Sequence, residues 1–224
     1  MRVVVRIGGS VVASPPNPEI MSKYASLLKE LKEQGHELVV VVGGGSVARD
    51  FITVARDMGL SEFDQDEVAI RVSRLFAQLL AMKLGDLGPG SVPTSVDEAV
   101  QELKRGKIVV MGGIKPGMTT DTVAAMVAER VEAELLVKAT DQNGIYTKDP
   151  RRYADAEKIG ILSFDDLVQL FEENKHRAGI HQVVDPEAVR ILQKERTKTV
   201  VVNGFKPENI LLAVKGEKVG TLIE

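Results

Sequence analysis

Leu38-Val39-Val40-Val41-Val42, then Gly43-Gly44-Gly45, then Ser46-Val47-Ala48-Arg49-Asp50: these residues follow one another without interruption. An apolar run, mostly β-branched and bounded by glycine, reads as a strand buried on both faces of a parallel sheet. The glycines let the chain turn sharply and leave backbone N–H groups uncovered. Ser46 is expected to cap a helix reaching about Met58. Strand, glycine turn and helix N-terminus form the arrangement that holds a phosphate. The same glycines would also serve a tight βα turn without a ligand, so this stretch alone leaves both readings open.

The flanking sequence repeats the pattern. Val3 to Ile7 is a strand ending in Gly8-Gly9-Ser10, and Lys107 to Met111 is one ending in Gly112-Gly113. Leu135 to Ala139 is closed by Asp141-Gln142-Asn143-Gly144, where Asn-Gly signals a turn. Helices are expected between these strands. Asn17 caps the first, with Pro18 at its first position, and Ile20, Tyr24, Leu27, Leu28 and Leu31 recur at helical spacing. Asp64 to Leu84 reads as a long helix with Val68, Val72, Leu75, Leu79 and Met82 along its apolar face. Ser95 opens a capping box for a helix that Gly106 ends, and Asp121 to Val131 is rich in alanine and valine.

Beyond Asp149-Pro150 the chain is more polar. Ser163 caps a helix to about Glu173, Lys175 to Val184 reads as an irregular loop, and Asp185-Pro186 opens another helix. A strand from Thr199 to Val202, a helix from Pro207 to Val214 and a strand from Gly220 to Ile223 complete the chain. Strands alternating with helices argue for an α/β fold, a three-layer αβα sandwich around a mainly parallel sheet. Ligands on such sheets bind beyond the carboxyl ends of the strands. Each glycine turn lies at such an end, so all should open on one side, and this convergence favours a phosphate site.

Composition narrows the function. The 224 residues suit one large domain or two packed lobes, and a net charge of -3 argues against a general nucleic-acid partner. With no cysteine there is neither a disulfide framework nor a thiolate site. His36, His176 and His181 lack metal-ligand spacing, so no protein-held metal is expected. No apolar run approaches the roughly 20 residues of a membrane span, and Met1 to Arg6 lacks a signal-peptide core, so a soluble cytoplasmic protein is expected.

Neither G-x-x-x-x-G-K-[ST] nor a G-x-G-x-x-G after the first strand is present. What remains is a set of glycine turns with Arg6, Thr119-Thr120-Asp121 and the segment Thr140 to Asp149. Moving a phosphoryl group between two anions requires such parts, because backbone N–H groups and cations must offset the charge on the transferred oxygens.

These residues resemble the amino-acid kinase family, and within it the UMP kinases of archaeal type. The marks are Ile7-Gly8-Gly9-Ser10, Val41-Val42-Gly43-Gly44-Gly45, Val110-Met111-Gly112-Gly113, Pro116-Gly117-Met118-Thr119-Thr120-Asp121 and Gly144-Ile145-Tyr146-Thr147-Lys148-Asp149-Pro150. The resemblance spans essentially the whole chain. It implies a single amino-acid-kinase domain over 1–224, with lobes of about 1–134 for the acceptor and 135–224 for ATP. It implies that Gly9, Ser10, Gly45 and Arg49 contact ATP phosphates while Thr140, Asp141, Tyr146 and Asp149 hold adenosine. Gly44, Asp66 and the loop Ile114, Lys115, Pro116, Gly117, Met118, Thr119 and Thr120 would hold UMP, with Asp66 on the ribose. Arg6 and Asp121 would be catalytic, Asp121 organising the cations, and Mg²⁺ would arrive with ATP. A homo-oligomer, a hexamer built from dimers, is the expected assembly.

The chain departs from the family pattern at Arg6, where many members carry lysine, and at Asp141, where UMP kinases often carry asparagine. Arginine keeps the charge but is planar and bidentate. The rival readings are a sister kinase acting on a carboxylate, carbamate or isopentenyl phosphate, and a non-catalytic nucleotide-binding protein on the same fold. A carboxylate acceptor has no ribose and leaves Asp66 without a task.

Overall fold

The computed structural model describes residues 1–173 and 185–224, with the backbone alone for 170–173. The loop expected from Lys175 to Val184, with His176 and His181, lies outside the described residues. The first half runs β1 (Arg2–Ile7), α1 (Gly9–Val12), α2 (Pro18–Glu33), β2 (Glu37–Val42), α3 (Gly45–Asp57), α4 (Glu62–Leu84), α5 (Val96–Lys104), β3 (Val109–Met111) and α6 (Thr120–Arg130). The second runs β4 (Leu135–Thr140), β5 (Ile145–Tyr146), β6 (Lys158–Ile159), β7 (Ile161–Leu162), α7 (Phe164–Glu173), α8 (Pro186–Glu195), β8 (Thr199–Asn203), α9 (Glu208–Val214) and β9 (Thr221–Ile223).

Seven strands form one sheet in the order β3-β2-β1-β4-β8-β9-β7, parallel except where β9 runs antiparallel to β8. β5 and β6 pair separately as an antiparallel ribbon. The strands alternate with a period of two, so their residues divide between two cores. Val3, Val5 and Ile7 of β1 with Leu38, Val40 and Val42 of β2 face a core closed by α2, α4 and α9. Val4, Val39, Val41, Met111 and Leu136 face the opposite core, closed by α5, α6 and α8. This is the expected sandwich, with a mainly parallel sheet between two helical layers.

The caps follow the sequence at most ends. Asn17, Ser95, Thr119 and Asp185 each accept a backbone N–H in the first turn of the following helix. Ser163 accepts from the Asp166 N–H at 3.0 Å. Ser46 does not cap α3, whose N-cap is Gly44, two residues earlier. The loop after α1 takes Ser46 instead. Ser14 Oγ accepts its N–H at 2.6 Å, and its hydroxyl donates to the Ala13 carbonyl at 3.1 Å.

The apolar face expected on α4 is corrected in part: Val72 is buried in the core as expected, but the rest of the stripe is not. Leu75, Leu79 and Met82 are 58%, 47% and 69% exposed, while Ile70, Ser73, Phe76, Ala77, Leu80, Ala81 and Leu84 face the core. The helix is apolar around most of its circumference, and periodicity alone does not tell which stripe lies inside. Small residues at Ser73, Ala77 and Ala81 let α4 approach the sheet closely, which decides the orientation. Phe51, Val54 and Met58 of the neighbouring α3 are exposed as well, so both helices carry large apolar residues on their outer surfaces.

Candidate active site

Strand parity builds the centre of the site. Arg6 follows Val4 on β1, and Lys138 follows Leu136 on β4, so both point to the face that α6 covers. They are register partners across the parallel pair. Thr119 caps α6, and its Oγ1 accepts from the Thr122 N–H at 3.1 Å, which sets Asp121 in the first turn over these two cations. Arg6 Nε lies 2.7 Å from Asp121 Oδ1, and Arg6 Nη2 donates to Thr120 Oγ1 at 3.0 Å. Lys138 Nζ donates to Asp121 Oδ2.

The Arg6 Nε and Asp121 Oδ1 contact is a close charge contact without hydrogen-bond alignment, so both atoms are buried without a hydrogen-bond partner. Burial pushes the Asp121 carboxyl up, but Arg6, Lys138 and the Asp185 backbone N–H outweigh it and hold the group below the usual carboxylate range. Burial pushes the Lys138 ammonium down to about 8, against the pull of Asp121.

The turns after β1 and β2 meet backbone to backbone. A Cβ on Gly9 would lie 2.0 Å from the Gly45 nitrogen, and one on Gly45 would lie 2.2 Å from the Gly9 carbonyl oxygen. Gly45 also has φ of 59°, a conformation that favours glycine. These two glycines are required by each other as well as by any ligand.

Two clefts open above this floor. The larger, about 750 Å³, is lined by Gly9, Ser10, Gly45, Arg49, Thr140, Asp141, Tyr146 and Asp149, the residues expected to face ATP, and its floor holds Arg6, Asp121 and Lys138. The smaller, about 290 Å³, is lined by Asp66, Lys115, Gly117, Met118, Ala69 and Ser73. Gly44, Thr119 and Thr120 line both. Ile114 and Pro116 do not line the smaller cleft. The Ile114 carbonyl is instead taken by Arg74 Nη2 at 2.9 Å. Asp66 Oδ2 accepts the Gly117 N–H at 2.7 Å and ties α4 to the loop.

Residues 1–203 match the sequence model of the Amino acid kinase family. The chain belongs to that family. Uridylate kinase from Methanocaldococcus jannaschii is 44% identical over 226 residues, covering 100% of both chains, and the Methanothermobacter thermautotrophicus enzyme of that name is 40% identical over 100% and 99%. The crystal structure of uridylate kinase from Archaeoglobus fulgidus superposes with a TM-score of 0.91 at 38% identity, covering 100% of both chains. UMP kinase from Bacillus anthracis shares the fold, with a TM-score of 0.83 at 22% identity over 100% and 95%.

Within this amino-acid kinase fold, several site residues escaped the sequence reading. Lys138 was hidden inside the strand Leu135 to Thr140, although a lone lysine in an otherwise apolar strand is a signal. Asp185 had been read only as a helix start. Its Oδ2 also accepts the hydroxyls of Thr119 and Thr122, the latter at 2.7 Å, so it fastens α8 to the mouth of α6. Ser73 is buried, accepts the Gly113 N–H at 2.8 Å and donates to the Ile70 carbonyl at 2.7 Å. Arg74 of α4 donates to the Gly113 and Ile114 carbonyls at 2.8 and 2.9 Å. These contacts involve side chains distant in sequence, which spacing does not reveal. Among the described residues no three acidic or histidine side chains gather as a metal cage.

Proposed function

We propose that the chain transfers the γ-phosphoryl group of ATP to UMP, giving ADP and UDP in pyrimidine nucleotide synthesis. The observation that carries this reading is two clefts sharing Gly44, Thr119 and Thr120, with Arg6, Asp121 and Lys138 beneath the larger. A kinase needs donor and acceptor anions to meet over positive charge. Full-length similarity to proteins named uridylate kinase supports UMP as the acceptor.

In this reading, Gly9, Ser10, Gly45 and Arg49 hold the ATP phosphates, and Thr140, Asp141, Tyr146 and Asp149 hold adenosine. The lobes divide at about 134, with the acceptor on the first and ATP on the second. Asp66 spends one oxygen on Gly117, which leaves the other to accept a ribose hydroxyl. Lys115, Gly117, Met118, Thr119 and Thr120 surround the uridylate, with Ile114 and Pro116 shaping the loop from behind. Gly44 brings its backbone to the acceptor phosphate. Mg²⁺ enters as part of the MgATP substrate, held mainly by phosphate oxygens.

An oxygen of the UMP phosphate attacks the γ-phosphorus in line with the bond to the β,γ-bridging oxygen. That bond breaks and its electron pair leaves with ADP. Arg6 offsets charge on the moving group, and Asp121 holds the cations where that charge develops.

We further propose that the exposed apolar face of α3 and α4 is covered by a second copy of the chain, and that three such dimers form a cytoplasmic hexamer. Phe51, Val54 and Met58 on α3 and Leu75, Leu79 and Met82 on α4 are large apolar residues left exposed in the single chain, and burying them against a second copy would remove that surface from water.

A coupled assay of ADP release with UMP, CMP, AMP and dTMP tests the reaction. UMP is expected to be used far better than the others, because buried polar sites reject analogues that leave them unpaired. Equal use of CMP would overturn the acceptor assignment. Preference for acetate, carbamate or isopentenyl phosphate would replace it with a sister activity.

A further inference from the structure

Lys138 sits in a buried strand between Val137 and Ala139, with only 5% of its surface exposed. Burying an ammonium is costly unless it is paired, and valine or isoleucine would suit the strand better. Yet its Nζ reaches Asp121 and lines the larger cleft beside Arg6 and Thr140. The charged groups facing it are Arg6 from β1, Asp121 from α6 and Asp185 ahead of α8, while β8 offers the uncharged Val201 at the paired position. With Lys138 protonated, these four charges cancel. With Lys138 neutral, the cleft floor carries a net negative charge, which opposes a polyphosphate.

Resting on the kinase reading above, we infer that Lys138 is a catalytic residue that hydrogen-bonds the phosphoryl group in flight, and that donor binding holds a proton on it. Lys138 transfers no proton during the reaction. It donates hydrogen bonds to the equatorial oxygens while the bond to UMP forms and the bond to ADP breaks. Asp121 keeps its ammonium at the floor, and ATP supplies the opposing charge that favours the protonated form. Burial leaves the free group with a value of about 8, so near that pH part of the population must take up a proton when ATP arrives. Arg6 does not substitute, because its Nη2 is engaged by Thr120 and its charge does not titrate.

The test is calorimetry of MgATP binding without UMP, near pH 8, in two buffers of different ionisation enthalpy. The wild-type chain is expected to take up a fraction of a proton per ATP, and Lys138→Met and Lys138→Arg none. Lys138→Met should lose roughly a hundredfold or more in kcat while its ATP affinity changes by less than about tenfold. Lys138→Arg should keep more of kcat and hold kcat/KM level where the wild type declines above about 8. Methionine suits an apolar strand and arginine keeps the charge, and urea melts of both variants establish that they fold. Equal proton uptake by wild type and Lys138→Met overturns the inference, as does a Lys138→Met kcat within a few-fold of wild type. A wild-type chain that binds MgATP with proton uptake but does not phosphorylate UMP would count against the acceptor reading and leave the proton-holding role of Lys138 supported.

Discussion

Arg6 and Lys138 stand opposite one another in register on adjacent parallel strands, and both close on one carboxylate, Asp121. Placing two cations side by side on a sheet is unfavourable unless an anion bridges them. Asp121 is that anion, and the mouth of α6 is where the fold can hold it.

Asp121→Asn should therefore do more than lower turnover. Loss of transition-state organisation predicts a fall in kcat of roughly a hundredfold or more, about 2.7 kcal/mol. Leaving two buried cations without their anion should also reduce folding stability by about 3 kcal/mol near neutral pH. A helix-start role alone would cost about 1 kcal/mol and leave kcat near normal. Steady-state kinetics alongside urea melts distinguish the two. A normal kcat with a small loss of stability would defeat the catalytic assignment.

Lys138 makes a second prediction, in stability. Its pKa is about 8 in the fold against an ordinary 10.5, so between these values the unfolded chain binds a proton that the folded chain does not. Stability contributed by this group rises with pH across that window and is flat below it. Wild type should gain on Lys138→Met by up to about 3 kcal/mol between pH 8 and 10.5, measured by urea midpoints at several pH values. Asp121 acts in the other direction. Its depressed carboxyl contributes stability above the ordinary carboxylate range, and this is lost as pH falls through the folded value. A pH-independent difference between wild type and Lys138→Met would contradict the buried-ammonium account.

Gly45→Ala should destabilise the fold before it affects any ligand. The added Cβ meets the Gly9 carbonyl oxygen at 2.2 Å on a backbone with φ of 59°. A loss of about 2–4 kcal/mol in a urea melt is expected. Gly35→Ala is the control. Gly35 also has positive φ, at 85°, but open space around it, so it should lose only about 1 kcal/mol. Equal losses at the two positions would show that the contact between the turns contributes nothing.

Much of this was legible because it is periodic or local. The strands at Val3 and Leu38, the glycine turns and the Asn17 and Ser95 caps depend on neighbours within four residues. What stayed hidden depends on partners far along the chain. Ser46 is taken by Ala13 and Ser14, Asp185 by Thr119 and Thr122, and Arg74 by two carbonyls of the acceptor loop. The α4 stripe misled for another reason. Leu75, Leu79 and Met82 have the spacing of a core face, yet the buried face carries Ile70, Phe76, Leu80 and Leu84 with the small Ser73, Ala77 and Ala81 among them.

Arg74 offers a selective probe of the acceptor loop. Arg74→Met removes two hydrogen bonds to the Gly113 and Ile114 carbonyls while keeping the aliphatic bulk. The KM for UMP should rise roughly tenfold, the worth of about 1.4 kcal/mol, with the KM for ATP little changed. Initial rates with each substrate varied in turn check this. A matching rise for ATP would mean that the loop serves both clefts.

The outer face of α3 and α4 can be probed by charge. Leu79→Glu with Met58→Glu should split the proposed dimer without unfolding the protomer, because both positions are exposed in the single chain. Sedimentation equilibrium should show a smaller species, with helical content preserved. An unchanged assembly would place the contact elsewhere.

The common wall of the two clefts, formed by Gly44, Thr119 and Thr120, has a consequence for inhibition. The two chambers meet at these three residues, so a single ligand reaching from one to the other would pass over them. A molecule with adenosine at one end and uridine at the other, joined by a short polyphosphate, would occupy both at once, its second half delivered at high effective concentration by the first. Such a bridging compound should compete with ATP and with UMP alike, and bind more tightly than either nucleotide alone.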